Sequence, residues 1–192
     1  MDPLIEPRGG NLTTERLVLR GWTDGAAEEL LALSTDPEVM RHFPALATRE
    51  QITGMVRKHQ DNLVAGRPGL YAVHEAGSDR FIGFVGLAVP IFDAPFLPCV
   101  EIGWRLRRDA WGHGYATEAA RAALAHGFET LGLDEIVSFT AVVNEPSIAV
   151  MRRLGMRTDP AEDFDHPSVP EGHPVRRHVL HRLTATEWRW LP

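Results

Sequence analysis

The sequence contains very little cysteine and lysine and has no long run of apolar residues. Cys99 is the only cysteine, so no disulfide bond can form within the chain, which is consistent with the cytoplasmic location that we expect. Lys58 is the only lysine, and the phosphate-binding pattern G-x-x-x-x-G-K-[ST] has no match. No apolar run is long enough to cross a bilayer, and residues 1–12 lack the basic and apolar regions of a secretory signal. We therefore expect a flexible start over residues 1–12 and no membrane association.

The overall composition is typical of a globular domain. The chain has 192 residues, of which 44% are hydrophobic and 24% are charged, enough apolar surface for a sizeable core. We expect a single domain over residues 1–192. The formal net charge of -6 argues against general nucleic-acid binding, although it permits local basic patches.

A strand, a glycine turn and a long helix follow one another between residues 100 and 131. Apolar and polar residues alternate from Val100 to Arg107, which is the period of a half-buried strand. Gly112 and Gly114 then interrupt the alternation. From Tyr115 to Leu131 apolar residues recur four positions apart, as they do on one face of a helix.

The junction between this turn and the helix is suited to binding an anion. The first turn of a helix has backbone N–H groups without intrahelical partners, and the helix dipole adds partial positive charge there. Glycines let a phosphate come close to the backbone, and Arg105, Arg107 and Arg108 lie just before the turn. A pyrophosphate is therefore the ligand that we expect. The dinucleotide-binding fingerprint fails, because Thr117 stands at its third glycine position. Alternatively, the turn needs its glycines only for their dihedral angles.

A second segment narrows the interpretation. Residues 144–156 read N-E-P-S-I-A-V-M-R-R-L-G-M, in which Asn144 suits a helix N-cap, Pro146 the first turn and Gly155 the helix end. Strand, Gly-x-Gly, helix, strand, N-E-P-S, helix and L-G-M, in this order, closely resemble the GCN5-related N-acetyltransferase (GNAT) superfamily. The segment T-E-R-L-V-L-R at residues 14–20 is similar to the start of its ribosomal-protein N-acetyltransferase branch, the RimJ/RimL type.

The resemblance implies a mixed α/β fold with a central, twisted and mostly antiparallel sheet of about seven strands flanked by about four helices. Local patterns predict where the elements lie. Thr23 or Asp24 caps one predicted helix, and Thr48 with Gln51 forms a capping box before the next. The predicted strands occupy residues 16–20, 70–75, 81–89, 100–106, 135–143 and 175–183.

The resemblance also implies acetyl-CoA as cosubstrate and a primary amine as acceptor, with direct transfer in a ternary complex and without a metal. The strand at residues 104–106 would pair with the pantetheine arm and splay away from the strand at residues 135–141 to leave room for it. The cofactor-binding residues implied are Trp104, Arg105, Leu106, Arg107, Trp111, Gly112, His113, Gly114, Tyr115, Ala116, Thr117, Asn144 and Ser147. Where the family usually has Arg or Gln, three positions before the first glycine, this chain has Asp109, which argues against a side-chain phosphate contact there.

Three residues are predicted to be catalytic, namely Glu101, Asn144 and Ser147. The acceptor amine must lose a proton, and Glu101 lies in mid-strand where the family frequently has a glutamate, acting directly or through a water. Alternatively, Glu101 forms an ion pair with an arginine on a neighbouring strand. Asp93 and His74 are weaker candidates for the base.

Protonation of the leaving thiolate is less clearly assigned. The tyrosine that the family places seven residues after the asparagine is Met151 here, which leaves Ser147 or a water as the proton donor. The parent thiol has a pKa of about 8.5 and needs little help from an acid. Asn144 would bond the pantetheine or an ordered water, although both Asn144 and Ser147 could serve only as helix caps. Cys99 offers an acyl-cysteine route, but nothing nearby in the sequence marks it as activated.

The sequence does not identify the acceptor. In the resembled family the segment around residues 39–45 shapes the acceptor pocket, with His42 and Phe43 as candidates for its lining. The loop at residues 160–174, which contains D-F-D-H-P, is long for a compact domain and hints at a substrate or interface role.

Several features leave alternatives open. A non-catalytic module that binds or senses acyl-CoA is the competing function. The protein is expected to be a monomer or a homodimer, and Trp188 and Trp190 would form a dimer contact or cover the end of the sheet. No metal is expected, because His178 and His181 point to opposite faces of one strand.

Overall fold

The computed structural model describes residues 7–8 and 10–191, and in this part of the chain nine strands form one sheet. The strands are β1 (Leu12–Thr13), β2 (Leu17–Arg20), β3 (Leu70–Glu75), β4 (Phe81–Ala88), β5 (Glu101–Leu106), β6 (Glu135–Ala141), β7 (Arg157–Thr158), β8 (Phe164–Asp165) and β9 (Arg177–Thr184). The α-helices are α1 (Asp24–Ser34), α2 (Pro37–Met40), α3 (Arg49–Val64), α4 (Tyr115–Ala125), α5 (Glu145–Arg153) and α6 (Ala185–Trp188). A π-helical turn, His126–Thr130, continues α4.

The predicted mixed α/β fold is confirmed. The strand order is β1-β2-β3-β4-β5-β6-β9-β7, with β8 also paired to β9, and every pair is antiparallel except β5 with β6. The counts exceed the expected numbers of strands and helices because β1, β7 and β8 have two residues each and α2 and α6 have four each. Elements this short carry no periodicity that a sequence could reveal.

The helix boundaries follow from local capping chemistry. Thr23, rather than Asp24, is the N-cap of α1, and its side chain accepts a hydrogen bond from the Ala26 N–H. The expected capping box of Thr48 and Gln51 is present at the start of α3. Asn144 caps α5 as predicted.

The structure describes more of the C-terminal end of the chain than of its N-terminal stretch. Residues 1–6 and 9, part of the region where we expect flexibility, lie outside the described residues. Leu12 pairs with Leu19 in the sheet. At the other end Trp188 stacks on Phe128 with ring centroids 5.7 Å apart, whereas Trp190 is 85% exposed.

Alternate residues of β5 face opposite sides of the sheet, and this alternation positions the site. Ile102 is buried on the side where α4 packs against β4 and β5. Glu101, Gly103 and Arg105 face the other side, where α1 and α3 pack on each other and Arg105 reaches Ser34 at the end of α1. The strand therefore has one face that closes the core and one that faces a crevice.

Within residues 7–8 and 10–191, no helix is both long and apolar enough to span a membrane. No group of three or more histidine, cysteine, aspartate or glutamate side chains in the same part of the chain is arranged to hold a metal ion.

Candidate active site

The turn before α4 requires both of its glycines. Gly112 and Gly114 have φ angles of +79° and +80°, in the left-handed region that residues with a Cβ seldom adopt. Gly114 is the N-cap of α4 and supplies no side chain to cap the helix. The conformational role of the glycines is thus real, and the helix begins with its first amides uncapped.

Six consecutive backbone N–H groups at this helix start have no partner. The first bonded amide is that of Glu118, which donates to the Gly114 carbonyl at 3.1 Å. Within the described part of the chain, no acceptor lies in hydrogen-bond range of the N–H groups of residues 112–117. A Cβ added at Gly112 would meet no other atom within 4 Å, so the space above the turn is open. Free donors, an open approach and the helix dipole together fit a phosphate group.

The charged side chains around the turn are largely paired with one another. Arg107 donates to the Asp109 carboxylate through Nε and through an Nη atom, each at 3.2 Å, and Arg80 donates to it at 2.9 Å. The hydrogen bond from Arg107 lowers the pKa of Asp109. The unusual acid at this position therefore sits between two guanidinium groups, which offset its negative charge near an anion site.

A second ion pair steadies the start of α4. Arg16 contacts both oxygens of Glu118 and also donates to the His113 carbonyl at 3.0 Å. The Arg16 guanidinium lies over the Tyr115 ring, 4.8 Å from its centroid, and the rings of His113 and Tyr115 stack at 5.5 Å. These contacts hold the turn in the conformation that leaves its amides free.

Strands β5 and β6 separate where the resemblance implies a splay. They run parallel and are paired only at Glu101 and Val137, with no further ladder pair in the described residues. The buried Ser138 hydroxyl donates to the Ile102 carbonyl at 2.9 Å, just past that pair. Beyond this point the two strands diverge, so the cleft opens toward the glycine turn at the end of β5.

Glu101 lies at the closed end of this cleft, and its carboxyl group has no ion-pair partner within the part of the chain that the structure describes. Burial raises its pKa to about 7, and the Lys58 ammonium acts weakly in the opposite direction. The alternative role of Glu101, an ion pair with a neighbouring arginine, is not observed among the described residues. A carboxyl group that is half ionised near neutral pH is suited to take up a proton.

The other candidate nucleophile and bases are less well placed. Burial and the nearby Glu101 raise the pKa of Cys99 to about 11, which keeps it a thiol. His74 Nδ1 lies 3.1 Å from both an Arg20 Nη atom and the Asp79 carbonyl oxygen, at the turn of the β3–β4 hairpin, and can hydrogen-bond only one of them in a given tautomer. His74 pairs with Phe81 on β4, whereas Glu101 pairs with Ala88 on the same strand. Phe81 and Ala88 are seven residues apart, or roughly 23 Å, so His74 lies far from Glu101. Asp93 is exposed in the loop between β4 and β5.

Asn144 and Ser147 form one hydrogen-bonded unit at the start of α5. The Asn144 amide nitrogen donates to Thr140 Oγ1 at 2.8 Å and to Ser147 Oγ at 3.1 Å, and its oxygen accepts from the Ser147 N–H at 3.4 Å. Because the Ser147 oxygen accepts this bond, its own hydrogen remains available for donation. Met151 is buried in the core, so no hydroxyl takes the place of the missing tyrosine.

The predicted cofactor-binding residues on β5 differ in which side of the sheet their side chains face. The backbone of residues 104–106 borders the cleft, and Trp111 Nε1 donates to the Leu106 carbonyl at 2.9 Å. The Arg105 side chain does not contribute to the turn. It donates to Ser34 Oγ at 3.0 Å and lies 4.3 Å from the centroid of the Phe43 ring. The Arg105 guanidinium therefore lies on the α1 side of the sheet. It does not join Arg107 and Arg108 beside the turn, where its position in the sequence had placed it.

A cluster of aromatic side chains on the same side of the sheet was not predicted. It joins the loop between β4 and β5 to β6, β8 and β9, with ring centroids 4.4–6.4 Å apart. Its members are Phe92, Phe96, Phe139, Phe164, His166 and His178. The D-F-D-H-P segment thus contributes Phe164 and His166 to a wall beside the crevice. The signal in the sequence was the recurrence of phenylalanine in the loop at residues 90–98 and of phenylalanine and histidine in the polar loop at residues 160–174.

Comparison with known proteins agrees with this geometry. A family model described as an acetyltransferase (GNAT) domain matches residues 16–157. The chain is 30% identical over 198 residues to an FsC-acetyl coenzyme A-N(2)-transacetylase from Aspergillus fumigatus, covering 94% of this chain and 83% of the relative.

Solved structures show the same fold. A GNAT-family acetyltransferase from Bacillus anthracis has a TM-score of 0.74 and 24% identity, covering 92% of this chain and 99% of that one. RimL, a ribosomal L7/L12 alpha-N-protein acetyltransferase solved with coenzyme A, has a TM-score of 0.73 and 15% identity, covering 92% and 99%.

Proposed function

The chain belongs to the GNAT family and is an acetyltransferase, and on this premise we propose that it moves the acetyl group of acetyl-CoA directly to a primary amine. Both substrates would be bound at once in the crevice beside β5. The observation that carries the proposal is the row of six free amides at residues 112–117, at the open end of the cleft between β5 and β6. The amides would hold the pyrophosphate, and the cleft would admit the pantetheine arm.

Glu101 would act as the general base. A lysine-like amine with a pKa of about 10.4 is about one part in 2,500 neutral at pH 7, whereas an α-amine near a pKa of about 7.8 is about one part in seven neutral. Glu101, with a pKa of about 7, is ionised in about half of the molecules at that pH and can accept the proton directly or through a water. The nitrogen–carbon bond then forms as the carbon–sulfur bond breaks.

The thiolate leaves toward α5 in this proposal. The hydrogen of the Ser147 hydroxyl is free because Asn144 supplies the bond that its oxygen accepts, so Ser147 is the proposed proton donor to the sulfur, and a proton from water restores the hydroxyl. Asn144 would serve mainly to orient Ser147. Since the thiol has a pKa of about 8.5, loss of this donor should cost less than loss of the base.

The acceptor is a protein N-terminal amine or a small molecule. Two similar proteins are named for transfer to nitrogen: RimL is a ribosomal L7/L12 alpha-N-protein acetyltransferase, and the Aspergillus relative is an FsC-acetyl coenzyme A-N(2)-transacetylase. Phe43 and the aromatic cluster would line the acceptor side. The cytoplasmic location, the single domain over residues 1–192 and the monomeric or dimeric state stay predictions.

A thiol-release assay tests the proposal against the competing role of a non-catalytic acyl-CoA-binding module. Purified protein is mixed with acetyl-CoA and a panel of peptides, polyamines and amino acids, and free thiol is followed. The proposal expects release with at least one class of amine, and acetylated product by mass spectrometry. Tight binding of coenzyme A with no thiol release above the rate without protein, for any amine, would favour the non-catalytic module.

A further inference from the structure

Resting on the proposed acetyl transfer, we propose that Arg105 binds an anionic group of the acceptor, so that the substrate is an amine carrying a carboxylate. Neither the family model nor the relatives assign a role to this side chain. The carboxylate can belong to a free amino acid or to an acidic residue next to a peptide N-terminus, and both present the same chemistry.

Arg105 is a half-buried cation with a fully buried Nε, and no counter-ion for it is found in the described part of the chain. No carboxylate among the described residues lies within ion-pair distance of it. Its Nε is fully buried and has no hydrogen-bond partner, and one terminal nitrogen donates to the neutral Ser34 hydroxyl. Removing a charged group from water without a paired opposite charge is costly, so such a group is normally neutralised by a partner. Here no such partner lies within reach among residues 7–8 and 10–191.

The charge of Arg105 lies on the same face of β5 as the proposed base. Glu101, Gly103 and Arg105 follow one another on the crevice face of β5, with about 13 Å between the Cα atoms of the two charged residues. A Cβ added at Gly103 would meet nothing within 4 Å, so the floor between them is open. A ligand lying along this floor can place its amine toward the base and its anion toward the guanidinium.

Aromatic rings hold the Arg105 guanidinium in place. It lies 4.3 Å from the Phe43 ring centroid and 5.3 Å from that of Phe84. Burial lowers the pKa of Arg105 to about 10, which still leaves the group charged at pH 7. A stacked planar guanidinium can donate two parallel bonds to a carboxylate, which a lysine ammonium cannot do.

Matched pairs of acceptors test the inference. One arm compares ω-amino acids of increasing length with their amides, and the other compares peptides with Asp or Asn as second residue. The wild type should favour the acid over its neutral partner in at least one arm, by about 10- to 100-fold in kcat/KM. The arm in which the preference appears identifies the source of the carboxylate.

The variants are Arg105→Gln and Arg105→Lys, with Arg189→Gln as control. Arg105→Gln should reduce the ratio of acid to amide to about one while leaving the Kd of coenzyme A unchanged, and Arg105→Lys should keep part of the preference. Arg189 is exposed in the C-terminal segment, so its substitution changes the net charge equally and should leave the ratio as in the wild type. Thermal melts confirm that each variant is folded.

Failure of the role of Arg105 and failure of acetyl transfer give different results. Amines that release thiol with no preference for an acid, or a preference that survives in folded Arg105→Gln, overturn the role of Arg105 and leave acetyl transfer intact. If no amine releases thiol, acetyl transfer fails. The role of Arg105 is then judged by whether an N-acetylated acid, but not its amide, raises the Tm of the wild type with coenzyme A present. Equal shifts overturn it.

Discussion

Replacing Glu101 with glutamine should remove one ionisation from the pH dependence of turnover. The carboxyl group has a pKa of about 7 because it is buried. The carboxylate fraction is then about 0.09 at pH 6 and about 0.9 at pH 8. A general base typically contributes about 10²- to 10⁴-fold to the rate. The ratio of wild-type to variant kcat/KM should therefore be at least about 100 at pH 8 and about tenfold smaller at pH 6.

The assay follows thiol release between pH 5.5 and pH 8.5 with one weakly basic amine acceptor whose pKa lies below this range. Because this acceptor is neutral at every pH used, the ratio reports the ionisation of Glu101 alone. Glu50→Gln, at an exposed position in the first turn of α3, is the matched control and should behave as the wild type at every pH. The Kd of coenzyme A should be the same in all three proteins.

Two results would refute this reasoning. A ratio that stays constant from pH 6 to pH 8 would mean that Glu101 does not titrate in the reaction. A variant as active as the wild type would remove Glu101 from the mechanism altogether.

Four further predictions concern stability and the other residues of the site. Because the folded-state pKa of Glu101 is raised, the contribution of this group to stability is complete below about pH 4.5 and is lost as the pH rises through about 7. In urea unfolding, the free energy of unfolding of the wild type should therefore fall by about 2 to 3 kcal/mol relative to that of Glu101→Gln between pH 5 and pH 8. Gly112→Ala and the control Gly132→Ala each place a Cβ at a similar positive φ angle with open space around it, so each should lower the free energy of unfolding by about 1 kcal/mol. Only Gly112→Ala should raise the Kd of coenzyme A in calorimetry. Cys99→Ala should leave kcat/KM unchanged, since its thiol has a pKa of about 11; loss of activity in a folded variant would revive the acyl-cysteine route. Asn144→Ala should cost about 1 kcal/mol in unfolding from the lost helix cap, and should lower kcat more than the affinity for coenzyme A if the asparagine orients the proton donor.

Signals within a few residues of one another were sufficient to predict much of the molecule. Thr48 with Gln51 and Asn144 with Ser147 are capping pairs three residues apart, and both are present in the structure. The glycine turn before α4 was likewise predictable, because only glycine readily adopts its positive φ angles. These features depend on backbone geometry that a few neighbouring residues decide by themselves.

The order of the motifs also implied the family, and with it the sheet and the splay beside β5. Alternation along β5 placed Glu101 and Arg105 on one face, but it could not distinguish a buried charge from an exposed one. The sequence therefore predicted Glu101 as a candidate base and grouped Arg105 with the arginines of the turn.

The tertiary structure decided the environment of those charges. The free amides at residues 112–117, the missing counter-ion of Arg105 and the aromatic cluster around Phe139 depend on contacts between segments distant in the chain. Burial raises the pKa of Glu101 and lowers that of Arg105, and burial results from the packing of all neighbouring elements. Local chemistry sets where helices and turns begin, whereas desolvation and pairing of charges are properties of the assembled fold.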